Sequence, residues 1–215
     1  MCGRYDLTTT RELPDRFAVH QALFDFAEPR YNVAPTQTMP VVTADRQLVP
    51  MSWGFIPVYA KKPEGFINAR AETVATSPAF KKAFATRRCL VPATGFYEWQ
   101  KTPQGKVPHR ISCTDQDLFA FAGIHTTWTD PNGHARQTYA ILTTQPNALM
   151  APIHNRMPVI LRRDAEEDWL SNGEHAVEQL LSLLAPYPAQ VMRLYPVSRA
   201  VNSPANDSPA VLVPV

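Results

Sequence analysis

The chain has 215 residues, 45% hydrophobic and 19% charged, a balance that suits a globular protein with its own core and excludes a disordered one. Its formal net charge of +2 neither requires nor excludes nucleic acid, because a local basic patch decides that and not the total. Three cysteines (Cys2, Cys89 and Cys113) without a C-x-x-C pair indicate neither a disulfide framework nor a zinc knuckle, and neither a signal peptide nor an apolar run of the ~18 residues needed to span a membrane is visible.

A first helix is expected between Thr9 and His20, with Pro14 near its start. Residues 40–43 and 48–53 flank the turn Ala44-Asp45-Arg46 and read as a hairpin. Ser77-Pro78 reads as an N-cap with proline at the first helical position, placing Phe80 and Phe84 on one face. Two further hairpins follow. Residues 95–100 and 109–113 flank Thr102-Pro103-Gln104-Gly105, and residues 118–124 and 138–143 flank Asp130-Pro131-Asn132-Gly133. Residues 159–161 read as a short strand. Asp164-Ala165-Glu166-Glu167 reads as a capping box ahead of Trp169 and Leu170. From Glu174 on, Val177, Leu180, Leu181 and Leu184 keep a helical period, and residues 191–195 close the series as a strand. The 21 prolines are spread along the chain, as befits many short elements. The expected fold class is α+β: mostly antiparallel β-sheets with a few flanking helices, in a single domain over residues 1–215.

The chemistry begins at the N-terminus. Methionine aminopeptidase is expected to remove Met1, because the next residue, Cys2, is small. The α-amine and the thiol of Cys2 then form a 1,2-aminothiol, with ordinary pKa values near ~8 and ~8.5. An amine condenses with an aldehyde to a Schiff base, and the neighbouring thiol closes a five-membered thiazolidine ring on it. The ring-opened sugar of an abasic DNA site is such an aldehyde. Taken alone, a second-position cysteine is more often chance than chemistry. Its neighbours change the weighing: Gly3 lets another chain approach closely, and Arg4 offers a fork for a phosphate. Residues 67–73 add amide, guanidinium, carboxylate and hydroxyl in one stretch. Glu98 lies inside the aromatic run Gly95-Phe96-Tyr97-Glu98-Trp99, either as a structural acid paired with a cation or as an acid/base raised by apolar neighbours. His154-Asn155-Arg156 puts an imidazole beside a cation.

Seven segments in order carry a resemblance: Met1-Cys2-Gly3-Arg4, Tyr31-Asn32-Val33-Ala34-Pro35, Trp53-Gly54, Asn68-Ala69-Arg70-Ala71-Glu72-Thr73, Gly95-Phe96-Tyr97-Glu98-Trp99, His154-Asn155-Arg156-Met157-Pro158 and Val197-Ser198-Arg199-Ala200-Val201-Asn202. Together they resemble the SRAP (SOS response-associated peptidase) family. The resemblance implies capture of abasic sites in single-stranded DNA through a thiazolidine crosslink at Cys2. It implies that Asn68 positions the cysteine and the opened sugar, that Glu98 assists ring opening and proton transfer, and that His154 serves Schiff-base chemistry and β-elimination. Arg4, Arg70 and Arg156 would hold the DNA backbone. Pro35 and the segment from Trp53-Gly54 onward would wedge against bases, and Ser198 and Arg199 would add DNA contacts. Where many relatives carry tryptophan after that segment, this chain has Tyr59. Cys89 and Cys113 lie outside the motifs and read as ordinary buried residues.

No metal, cofactor or membrane partner is expected, a monomer would suffice for this chemistry, and the expected location is cytoplasmic, with nucleoid association when bound to DNA. Two other readings stay open: an N-terminal-cysteine hydrolase or autopeptidase using the same four residues, and a non-catalytic single-strand-binding module.

Overall fold

The computed structural model describes residues 2–171 and 176–215. Met1, and Glu174 at the expected start of the last long helix, lie outside the described residues. The strands are β1 (Tyr5–Leu7), β2 (Gln21–Ala22), β3 (Arg30–Val33), β4 (Thr38–Thr43), β5 (Gln47–Trp53), β6 (Asn68–Arg70), β7 (Arg88–Ala93), β8 (Gly95–Thr102), β9 (Gly105–Cys113), β10 (Phe119–Thr129), β11 (Ala135–Thr144), β12 (Met157–Pro158) and β13 (Met192–Pro196). The helices are short: α1 (Leu13–Arg16), α2 (Lys81–Thr86), α3 (Glu166–Leu170) and α4 (Val177–Ser182).

Two sheets result. One has the order β13-β9-β8-β1-β3 and is antiparallel throughout. The other runs β12-β11-β10-β7-β4-β5-β2 and closes on itself, because Thr138 and Tyr139 of β11 also pair with Ser52 and Trp53 of β5. Strands β5, β4, β7, β10 and β11 thus form a small barrel. The closure is parallel, as are the pairings of β6 with β11 and of β2 with β5. The expected architecture, mostly antiparallel sheets with a few helices, holds, and these three seams are its parallel exceptions.

All three expected hairpins form (β4–β5, β8–β9 and β10–β11). In the last, Asp130 Oδ1 accepts from the N–H groups of Asn132 and His134, and Gly133 supplies φ 88°. This is the turn chemistry its sequence signals. The strand expected at 159–161 is reduced to a bridge between Phe121 and Ile160, and the ladder lies earlier, at β12.

The helices depart most from expectation. The first shrinks to the four residues of α1. Helix α2 starts at Lys81, and Ser77 donates no side-chain cap; its carbonyl instead accepts from Phe80 and Lys81. The capping box at 164–167 does not form. The box acid, Glu167, pairs instead with Arg46, and Asp164 with Arg162, while Glu166 forms a bidentate pair with the buried Arg16 at 2.7 and 2.8 Å. A hydrogen bond between two charged groups is stronger than one to a neutral backbone N–H.

The five-stranded sheet packs one face on the barrel, with Tyr5, Leu7, Phe96 and Ile111 joining a continuous apolar core. Along β8 the side chains alternate. Phe96 faces that core, whereas Tyr97 faces a second cluster with Val197, Val201 and Val211 from the C-terminal segment. Glu98 follows on the side of Phe96, and is buried where the two sheets meet.

Candidate active site

The register of β1 on β8 (Tyr5 opposite Phe96, Asp6 opposite Gly95) continues past the end of β1, where Tyr97 N–H donates to Arg4 O at 3.0 Å. The next step of that register sets Gly3 beside Glu98, so the residues after Cys2 are led along the strand that carries the acid. Cys2 is fully buried, and its thiol lies 3.9 Å from Arg4 O. Burial pushes the thiol well above the ordinary range, and the nearby Glu98 charge pushes it further. Beneath it, the buried hydroxyls of Tyr5 and Tyr139 share a 2.8 Å hydrogen bond. Trp53 packs edge-on against Tyr5 and stacks on Tyr139.

Burial also raises the Glu98 carboxyl, while His154 is close enough to pull it back. His154 comes from a turn after the barrel, where its own N–H donates to Met150 O at 2.9 Å. The same turn meets β8 again where Gln100 Nε2 donates to Pro152 O at 3.4 Å. The Arg156 N–H donates to His154 Nδ1 at 3.1 Å. A nitrogen that accepts carries no hydrogen, so the neutral ring holds its proton on Nε2.

Asn68 opens β6, opposite Ile141. The preceding residue, Ile67, is held by Trp53, whose Nε1 donates to Ile67 O at 2.9 Å. Cys2, Tyr5, Trp53 and Asn68 are thereby joined through one run of packed groups. Asn68 Nδ2 donates to Ile67 O at 3.0 Å, but its Oδ1 is buried with no partner among the described residues. A buried acceptor left empty is costly in a folded protein, and such an atom marks a place for a ligand or a reacting group. Cys2, Glu98 and His154 are therefore brought together, with Asn68 connected to them through the tryptophan.

The expected DNA contacts fare differently. Arg70 is exposed, and its side chain makes no hydrogen bond or ion pair among the described residues. Arg156 is held by Glu72 at 2.6 and 2.9 Å and by Thr143 O at 2.5 Å. Arg4 is turned inward, with Nη1 at 2.7 Å from both Asn32 Oδ1 and Val201 O, and its guanidinium lies over Trp99. Pro35 is half-buried in a turn whose next residue, Thr36, has φ 73°. The expectation for Trp53 is corrected, because a fully buried indole in the core cannot touch DNA. Its backbone does hold the Pro35 turn, accepting from Thr36 N at 2.7 Å and donating to Gln37 O at 2.9 Å. The exposed apolar groups beyond it are Val58, Tyr59 and Phe66. Ser198 spends its hydroxyl on Ala200 N–H, and Arg199 is exposed.

Sequence reasoning assigned no role to Glu72, Thr143 or Asp207. Asp207 binds the Tyr31 and Asn32 N–H groups at 2.6 and 2.9 Å and Arg30 at 2.5 Å, so it fixes the strand that Arg4 grips. Glu72 was visible in its motif as a carboxylate among polar neighbours. Its partner lies 84 residues away, and no local pattern signals such a pairing.

Among the described residues no cluster of His, Cys, Asp or Glu could hold a metal ion, and no helix is long and apolar enough to cross a membrane. Residues 1–204 match the family described as SOS response associated peptidase (SRAP). The chain belongs to the SRAP family. It is 42% identical over 221 residues to the abasic site processing protein YoqW of Bacillus subtilis, covering 99% of each chain. It is 32% identical over 225 residues to the abasic site processing protein HMCES of Gallus gallus, covering 87% of this chain and 66% of that one. A crystal structure of a protein from Bacteroides thetaiotaomicron superposes with a TM-score of 0.91 over the full length of both chains, at 26% identity. The SRAP fold is thus shared along the whole chain, including every strand that carries a site residue.

Proposed function

We propose that this SRAP protein processes abasic sites in single-stranded DNA, and that it does so by forming a covalent thiazolidine crosslink through Cys2. The observation that carries this reading is the meeting of a buried Cys2 with Glu98 and His154 at the end of the first strand. The abasic site processing proteins named above are its relatives.

Removal of Met1 frees the Cys2 amine. The abasic sugar opens when its C1′–ring oxygen bond breaks, the ring oxygen gaining a proton as the C1′ hydroxyl loses one. A carboxyl whose pKa is raised by burial holds its proton more readily than an ordinary one and can shuttle it, which suits Glu98. The amine then adds to the aldehyde, and loss of water leaves the imine. Finally the Cys2 thiol adds across the C=N bond, sulfur to carbon and proton to nitrogen. Burial holds the thiol in its protonated form, so the amine acts first and the sulfur completes the ring. The empty Asn68 Oδ1 suits an N–H of the amine as its donor.

The DNA path follows from what is exposed. Arg70 offers an unused guanidinium to a phosphate. Arg199 is exposed at the C-terminal segment, whereas Arg156, held by Glu72 and Thr143, bears on the DNA through its charge. Tyr59 and the Pro35 turn offer surfaces for bases. Arg4 and Ser198 serve the reading through the walls they fix. Purified protein incubated with abasic single-stranded DNA should give a denaturation-resistant adduct whose mass equals protein lacking Met1 plus DNA minus one water. Absence of that adduct, or its persistence when an extra residue blocks the Cys2 amine, overturns the mechanism. Release of peptide products from a substrate panel would favour a hydrolase instead.

A further inference from the structure

Three side chains that no catalytic role explains lie in one line beside His154. Glu72 follows β6, Arg156 precedes β12, and between them runs β11 with Thr143. The Glu72 carboxylate takes both arms of the Arg156 guanidinium, at 2.6 and 2.9 Å, and the same guanidinium reaches Thr143 O at 2.5 Å and Thr143 Oγ1 at 3.3 Å. The Arg156 side chain is only 16% exposed, although its carboxylate partner is 42% exposed. The backbone N–H of this pinned arginine is the group that donates to His154 Nδ1 at 3.1 Å.

A surface ion pair by itself contributes little to stability. This pair has a fork-on-fork geometry with a third, carbonyl partner, which fixes orientation more than it adds energy. What it orients is a residue whose amide decides which imidazole nitrogen carries the proton. A hydrogen bond to one ring nitrogen sets the tautomer at the other. If Arg156 were released, its amide would be free to turn from Nδ1, and both neutral tautomers would become accessible.

We propose that Glu72 is a positioning residue: through Arg156 it holds His154 in the Nε2–H tautomer and fixes the ring against Glu98. The proposal rests on the function given above for the meaning of that tautomer, but the arrangement itself is testable without DNA. The fork also explains why arginine stands at 156. Lysine would keep the charge and lose the two parallel bonds.

The test is a long-range ¹H–¹⁵N spectrum of the imidazole nitrogens, with the His154 signals assigned by their loss in His154→Gln. It is run on wild type, Glu72→Leu, Glu72→Asp and Arg156→Lys, alongside crosslinking rates on abasic single-stranded DNA. Wild type should show the Nε2–H pattern. Glu72→Leu and Arg156→Lys should show mixed tautomers and crosslink roughly tenfold more slowly, and Glu72→Asp should recover part of both. Should Glu72→Leu fail to fold, Glu72→Gln, which keeps the shape and one acceptor, replaces it in the same comparison. An unchanged Nε2–H pattern in Glu72→Leu overturns the proposal, as does a rate that falls only with the folded fraction. If the tautomer follows Glu72 but wild type forms no adduct, the positioning stands and the crosslinking function falls.

Discussion

Cys2 and Cys89 are the same side chain in the same degree of burial, and they part company in everything else. Both are fully buried, and burial pushes both thiols well above the ordinary range. Cys89 sits mid-strand in β7, between β4 and β10, and its sulfur faces Gly123. A Cβ on Gly123 would come within 2.8 Å of that sulfur and 2.9 Å of Val91 Cγ2. Cys2 has Glu98 against it, and the ordered backbone leads its chain end along an acid-bearing strand. A thiol held protonated is a poor nucleophile, so sulfur reactivity does not separate the two sites. On the mechanism proposed above, what separates them is the α-amine that a second-position cysteine exposes once Met1 is removed, with Glu98 and His154 beside it.

The strongest way to break this contrast is substitution at the two positions. Cys2→Ala should abolish the denaturation-resistant adduct on a gel. Cys89→Ala should crosslink at the wild-type rate per folded molecule and lose about 1–2 kcal/mol in urea unfolding. Equal crosslinking by the two variants would end the distinction. Next in size, Glu98→Gln should slow adduct formation by roughly a hundredfold. The wild-type rate should fall as pH rises through the raised Glu98 pKa, because the acid form is the one that donates, and Glu98→Gln should lose that dependence.

The Cys89 side of the comparison is sharpened by Gly123→Ala, which should cost about 1–3 kcal/mol through overpacking. Adding Cys89→Ala should return part of that loss, because the methyl group then has somewhere to go. The last effect, absent at neutral pH, concerns His125, on the same barrel strand. Burial, and then the nearby Arg87, lower its pKa to about 4. A group depressed in the fold binds its proton more readily when unfolded. Stability is therefore complete above about pH 6.5 and falls as the pH drops through 4, by about 3 kcal/mol in total. Acid titration of unfolding in His125→Gln should lack this component.

The hairpins were legible because turn chemistry is local: Asp130-Pro131-Asn132-Gly133 folds as it reads. The helices were not, because Glu167 was offered a partner in Arg46, 121 residues away, instead of its own helix terminus. Parallel closure of the barrel through Trp53 and Tyr139 follows no local pattern either. The motifs singled out Cys2, Glu98 and His154, since each lies in an unusual run of residue types, and the fold brings the three close together. Trp53 lay in such a run too and proved to be core, because a sequence motif marks a position as special without saying whether it faces a ligand or holds the neighbour that does.

The grip of Arg4 on Val201 spans 197 residues of chain. Contacts between such distant residues form late, after the loop between them has been closed. A ribosome must release residue 201 before the wall beside Cys2 can be finished. On the mechanism proposed above, the nascent chain would present the Cys2 end early and close the pocket around it only after Val201 has emerged, so assembly itself would delay the chemistry.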